Sequence, residues 1–208
     1  MNSFEVDLRR ALYSRMFIIA AFAQFIILYC SGYKSGLYYS SIPILCSIPF
    51  SDVLIKEEES GFIKVFITRT SCSGYFAGKY LAGIMAGGCS LVLGHMLFSL
   101  TKKSGGISFP YGKLFFSGML WAGVAIMLSG VSKSVYMAYG GSFILYHLLS
   151  MLQERHFEDW YCLNPREWLD KQHEWVFGNT GIYLMLGWIN IIIFMVYFII
   201  MEKRFRGE

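Results

Sequence analysis

Hydrophobic residues in this chain come in long blocks separated by short polar punctuation. Weakly charged blocks occupy 15–33, 37–55, 75–100, 113–130, 135–152 and 178–201. A run of about 20 such residues crosses a hydrocarbon core of roughly 30 Å as an α-helix. The pattern therefore predicts an all-α membrane protein, one domain over 1–208, with six transmembrane helices. Block 37–55 carries Pro43 and Pro49, which should kink it and free backbone carbonyls for neighbouring helices or water. In block 75–100, Gly83 and Gly87 form a G-x-x-x-G, and Ala86, Ser90 and Gly94 continue the small residues, so another helix can approach closely. Only 131–134 separates the fourth block from the fifth, which makes those two spans a tight antiparallel pair.

Three polar stretches punctuate the blocks. In 3–14, Phe4, Leu8, Ala11 and Leu12 recur at helical spacing, with Glu5, Asp7, Arg9 and Arg10 on the other side. This is either an amphipathic interface helix or an extension of the first span into water. In 56–74, Glu57, Glu58 and Glu59 lead into Phe62, Val65 and Phe66, bracketed by Gly61, Lys64 and Arg69. That segment reads as an amphipathic helix across a membrane face or as an ordinary solvated loop. The third stretch, 153–177, sets six acids against Arg155, Arg166 and Lys171 and carries Trp160, Trp168 and Trp175. Tryptophans beside charges suit a membrane–water boundary.

Composition strengthens the membrane reading: 55% of residues are hydrophobic and 15% charged, against about half and a quarter in soluble domains. The net charge of +4 is scattered over span ends rather than gathered in a patch, which points to orientation and away from a nucleic-acid partner. With the N-terminus inside, eleven basic residues fall on the cytosolic side (Arg9, Arg10, Arg15, Lys56, Lys64, Arg69, Lys79, Lys133, Lys203, Arg204, Arg206) and the remaining seven outside. A multi-pass cell-membrane protein with both termini cytosolic follows. Segment 16–29 is not expected to be a cleaved signal, because Tyr29 and its neighbours are not the small residues that cleavage before Cys30 requires.

Candidate chemistry is sparse. The five cysteines lack C-x-x-C spacing and the four histidines lack an H-E-x-x-H pairing, so no metal site is expected. Segment 74–80 has the wrong spacing for a phosphate loop. The chain is thus expected to bind no cofactor and to have no catalytic residue of its own. A competing reading is an intramembrane metalloprotease with E-E-x-x-x-R and F-x-x-x-H motifs. Phe143 and His147 match the second, but Phe62 or Ile63 stands where the arginine belongs. Tyr139, Phe143 and Tyr146 fall near one face of the fifth block, either lining a path or packing.

From Lys56 to Lys79 the sequence resembles the first cytosolic loop of ABC-2 type transporter permeases. Glu58, Glu59 and Gly61 match its acidic start, 62–67 its apolar helix, 68–73 its turn, and Gly78 and Lys79 the glycine–lysine pair opening the third span. A phenylalanine stands where a threonine is common, and the usual proline of the turn is missing. The resemblance implies a permease subunit of an ABC exporter. Segment 56–74 would be the coupling helix, docked on a separate ATP-binding subunit present in two copies, which would bind ATP and Mg. Glu57, Glu58, Glu59, Gly61, Phe62, Lys64, Val65, Phe66 and Arg69 would form the docking surface. A second permease chain, the same or homologous, would pair with this one, and Phe22, Phe25, Tyr139, Phe143 and Tyr146 would face the substrate path. Segment 153–177 would be the extracytosolic insertion. The expected cargo is amphipathic or hydrophobic, with antimicrobial or other peptides first. The alternative is a membrane anchor or sensor that recruits an ATPase without moving substrate.

Overall fold

The structure, a computed structural model, describes residues 3–63, 72–101, 108–157, 159–175 and 177–206. Among these residues every regular element is helical. In chain order the α-helices are α1 (Ser3–Leu12), α2 (Arg15–Ser31), α3 (Gly36–Ser47), α4 (Val53–Glu59), α5 (Cys72–Ser99), α6 (Tyr111–Ser132), α7 (Val135–His156), α8 (Pro165–Leu169) and α9 (Gly178–Arg206). A single 3-10 turn, Tyr161–Leu163, precedes α8.

Four helices, α5, α6, α7 and α9, are long and apolar enough to cross a membrane, and the bent pair α1–α2 makes up to five. That is fewer than the six expected. The shortfall lies in block 37–55, which is not one helix: α3 has twelve residues, about 18 Å of rise, well short of a bilayer core. Pro49 explains the break. It brings no N–H to the helical ladder and its ring clashes with the preceding turn, so 48–52 turns before α4 begins. Pro43, by contrast, stays inside α3, and its carbonyl accepts the Ser142 hydroxyl of α7 at 3.1 Å.

The core is the pair α5–α6. Roughly two thirds of their apolar windows are buried (61% and 67%), against 28% for α7 and α9, so these two are the central layer and the others wrap them. The small residues explain the closeness. A Cβ on Gly87 would lie 2.4 Å from the Ala122 Cβ and 3.1 Å from the Gly118 carbonyl oxygen, and one on Gly118 2.9 Å from the Gly88 Cα. The G-x-x-x-G motif is therefore used within the chain, Gly87 against neighbouring backbone and Gly83 against the Ile126 side chain. Around this pair, α2 and α1 lie on α5, α9 on both α5 and α6, and α7 on α6 and α3.

Outward faces stay apolar. Ile18, Ile19, Phe22 and Ile26 on α2 and Leu184, Trp188, Ile192 and Met195 on α9 are all exposed. Surfaces of this kind are a liability in water and are compatible with a membrane-embedded protein.

Candidate functional site

Ionisable residues gather at the two ends of the bundle. At one end, α4 carries the glutamates into a network that spans five helices. Glu57 is 6% exposed and accepts from Arg10 of α1 at 2.8 Å and from Lys79 of α5 at 2.9 Å. It also takes a short hydrogen bond from the Tyr75 hydroxyl. Lys79, itself 4% exposed, reaches Asp7 of α1 at 3.1 Å. Two acids, Asp7 and Glu57, thus face two bases, Arg10 and Lys79. The balance matters, because a buried charge is tolerated only when paired and hydrogen-bonded.

Glu58, the next residue, faces a different set of bases. Arg204 of α9 holds it with a short, two-oxygen contact, and Lys133, just past α6, adds a pair at 3.2 Å. Arg204 also donates to the Gly130 carbonyl. Asp52, at the head of α4, pairs with Lys56 and is hydrogen-bonded to Tyr139 of α7. So α4 is fixed to α1, α5, α7 and α9 by side-chain bonds.

This geometry revises one expectation. The pattern of 3–14 places Asp7 on the polar side, but the structure buries it, because α1 packs on α5 beside Lys79. Moreover, α1 is a separate helix bent 48° from α2, with Ser14 capping α2 by accepting the Phe17 N–H at 3.0 Å. Gly78 lets α1 in, with the Phe4 backbone 3.6 Å from where a Cβ would stand.

Of the expected docking residues, Glu57 and Glu58 are engaged by the chain's own bases. Glu59 is exposed with no ion pair among the described residues, Gly61 takes a positive φ of 72°, and Phe62 is 48% exposed. Lys64, Val65, Phe66 and Arg69 lie outside the described residues. The expected path residues do not converge. Phe22 and Phe25 lie on α2 and contact each other, whereas Tyr146 is 2% exposed and packs on Trp121. Tyr139 is held by Asp52, and Phe143 meets the His147 ring edge-on at 4.5 Å. The two helices pack on different neighbours, α2 on α5 and α7 on α6, with α3 touching both. Sequence reasoning missed Arg10, Tyr75, Lys79, Lys133 and Arg204 as partners of the glutamates. The available signal was only that all five sit near block ends.

The opposite end is closed by the insertion. Lys34 pairs with Asp170 at 2.7 Å, and Lys113 donates to Asn179 at 2.9 Å. Glu167, buried, accepts from the Gln172 and His173 backbone N–H groups and contacts the His173 ring at 3.0 Å. The three tryptophans expected at a membrane boundary have different environments: Trp160 is 59% exposed, Trp175 is half-buried, and Trp168 is 3% exposed and stacked on Trp121 at 5.9 Å. Short helix α8 folds back into the bundle and takes Trp168 with it. Between the two ends, His95 contacts the Leu91 carbonyl through Nδ1 and the Tyr38 hydroxyl through Nε2, both at 2.8 Å. A carbonyl only accepts, so Nδ1 carries a proton, and for a fully buried ring with no carboxylate on it among the described residues the neutral form, with Nε2 accepting from the tyrosine hydroxyl, is the less costly one. Among the described residues, no three of His, Cys, Asp and Glu gather as metal ligands.

No protein-family model, curated protein sequence or solved structure matches the chain.

Proposed function

We propose that this chain is the transmembrane permease subunit of an ATP-driven exporter of the ABC-2 type, receiving its energy from a separate ATP-binding subunit. The observation that carries the reading is the double character of α4 and the residues after it. Its inner face is tied through Glu57 and Glu58 to α1, α5 and α9, while Glu59 is exposed and Phe62 half-exposed. A handle of that kind is what remote driving requires. A partner can bias the bundle only if its closure is felt through a stiff contact with differential energy in two arrangements. Glu59, Gly61 and Phe62 belong to the docking surface, with ATP and Mg held by the partner. Six membrane crossings follow if broken block 36–59 and the α1–α2 pair each count as a span, with both termini cytosolic and α1 at the interface.

Cargo is amphipathic or hydrophobic, a peptide before a lipid or drug, because the described helices turn apolar faces outward, where such a solute would meet them from the membrane. The substrate path lies between two permease copies, where Phe22 and Phe25 of one chain meet Tyr139 and Phe143 of the other.

Separation of those residues within one chain favours a second reading, an anchor or sensor that binds an ATPase without transport. Co-expression with a candidate ATP-binding subunit separates the two. The exporter reading expects Phe62→Asp to abolish co-purification without loss of membrane insertion, and expects cargo to stimulate ATP hydrolysis in liposomes. Co-purification with no substrate crossing supports the anchor. Unchanged co-purification of Phe62→Asp removes the docking claim.

A further inference from the structure

At the end of the bundle away from α4, two chain segments that leave α7 and enter α9 bring four aromatic rings around one volume. Trp160 and Tyr161 come from the first segment, Trp175 and Phe177 from the second, and together with Asp159 and Gly181 they line a cavity of about 510 Å³. That size is within the range of small-ligand sites. Three of the rings are held by ring contacts, two of them to each other. Tyr161 meets Trp175 edge-on at 5.3 Å, and its plane is stacked against His173 at 5.4 Å. Trp160 in turn leans on Phe157 at 5.4 Å. Interfacial tryptophans that merely anchor a helix stand singly toward lipid. Here the aromatic groups converge, and a carboxylate stands among them.

We infer that this cavity is a binding site for a quaternary or methylated ammonium group. Aromatic faces carry negative quadrupole density and attract a cation, most strongly one too weakly hydrated to resist leaving water. Asp159 supplies the matching charge: it is exposed and makes no ion pair among the described residues. Elsewhere the chain fills its own cation–π positions, with Lys34 over Tyr33, Lys79 over Tyr75 and Arg166 over Tyr39. Among the described residues no lysine or arginine lies over Trp160, Tyr161, Trp175 or Phe177. An ammonium of this class comes either from a lipid headgroup, since the cavity sits where two long apolar helices end, or from a free solute. The inference stands apart from the transport reading.

The test uses the full chain in nanodiscs of phosphatidylglycerol, titrated with choline and with its neutral isostere 3,3-dimethylbutan-1-ol, and followed by tryptophan fluorescence. Choline is expected to give a saturable change and the isostere none. Asp159→Asn, at an exposed position, should weaken choline about fivefold or more. Gly181→Leu should abolish the change: a Cβ there meets nothing closer than the Phe177 Cβ at 3.6 Å, so the helix accepts it while the longer side chain fills the cavity. Phosphatidylcholine discs identify the source. Loss of the response to free choline there means the lipid headgroup already occupies the site, and persistence means a soluble ammonium ligand. A response to the isostere equal to that of choline, no saturable change, or indifference to both substitutions would overturn the proposal.

Discussion

Lys79 is the residue on which one end of the molecule turns. It is the shared cation of Asp7 and Glu57, and none of the three has water to fall back on. Removing one member of a buried set leaves the others uncompensated, which costs about 3–5 kcal/mol. Lys79→Met is therefore expected to lower the melting temperature in detergent sharply, and Lys79→Arg much less, as read by thermal unfolding. Glu59→Lys probes the opposite situation two residues from Glu57. Its side chain is exposed and unpaired among the described residues, so the substitution should leave melting unchanged and weaken only the ATPase complex, read by co-purification. If Glu59→Lys unfolds the chain, α4 has no free face and the docking proposal loses its basis.

At the scale of elements, the small residues of α5 and α6 decide how closely the central pair packs. Gly87 faces the Ala122 Cβ and the Cys46 carbonyl oxygen, the latter 2.9 Å from where a Cβ would stand. Backbone cannot rotate out of the way as a side chain can. Gly87→Val is expected to force the helices apart at a cost of about 1–3 kcal/mol or more. Gly140 on α7 is the control, with nothing within 4 Å of its would-be Cβ. Gly140→Ala should stabilise the chain by about 0.5–1 kcal/mol through lower unfolded-state freedom and higher helix propensity, and chemical denaturation in mixed micelles would compare the pair. The break after α3 follows the same logic of local chemistry. One proline without a donor ends a helix that composition alone would have continued.

For the whole molecule, basic side chains at the two ends of the bundle meet their partners in two separate sets. Arg10, Lys79, Lys133 and Arg204 pair with Asp7, Glu57 and Glu58 at one end, while at the other Lys34 pairs with Asp170 and Lys113 and Arg166 hydrogen-bond Asn179 and Tyr146. Basic-residue counting expects the first set on the cytosolic side of a membrane and the second outside. Single cysteines at Glu59→Cys and Trp160→Cys, in a chain otherwise free of cysteine, test the orientation. In right-side-out vesicles an impermeant maleimide is expected to label position 160 at once and position 59 only after permeabilisation. The reverse result places the handle outside the cell and ends the exporter reading.

Hydrophobic blocks, proline and glycine positions and end charges are one-dimensional quantities, and from them the helical class, the four long apolar helices and the close packing at Gly87 were all legible. The sequence could not tell which charges face which. Asp7 reads as solvated until α1 is laid on α5, and Trp168 reads as a boundary residue until α8 folds back onto Trp121. The aromatic cavity likewise exists only when the segments on either side of α8 are brought together. Such pairings join residues tens to well over a hundred positions apart, and burial energy, which selects them, depends on the assembled surface rather than on any local run of the chain.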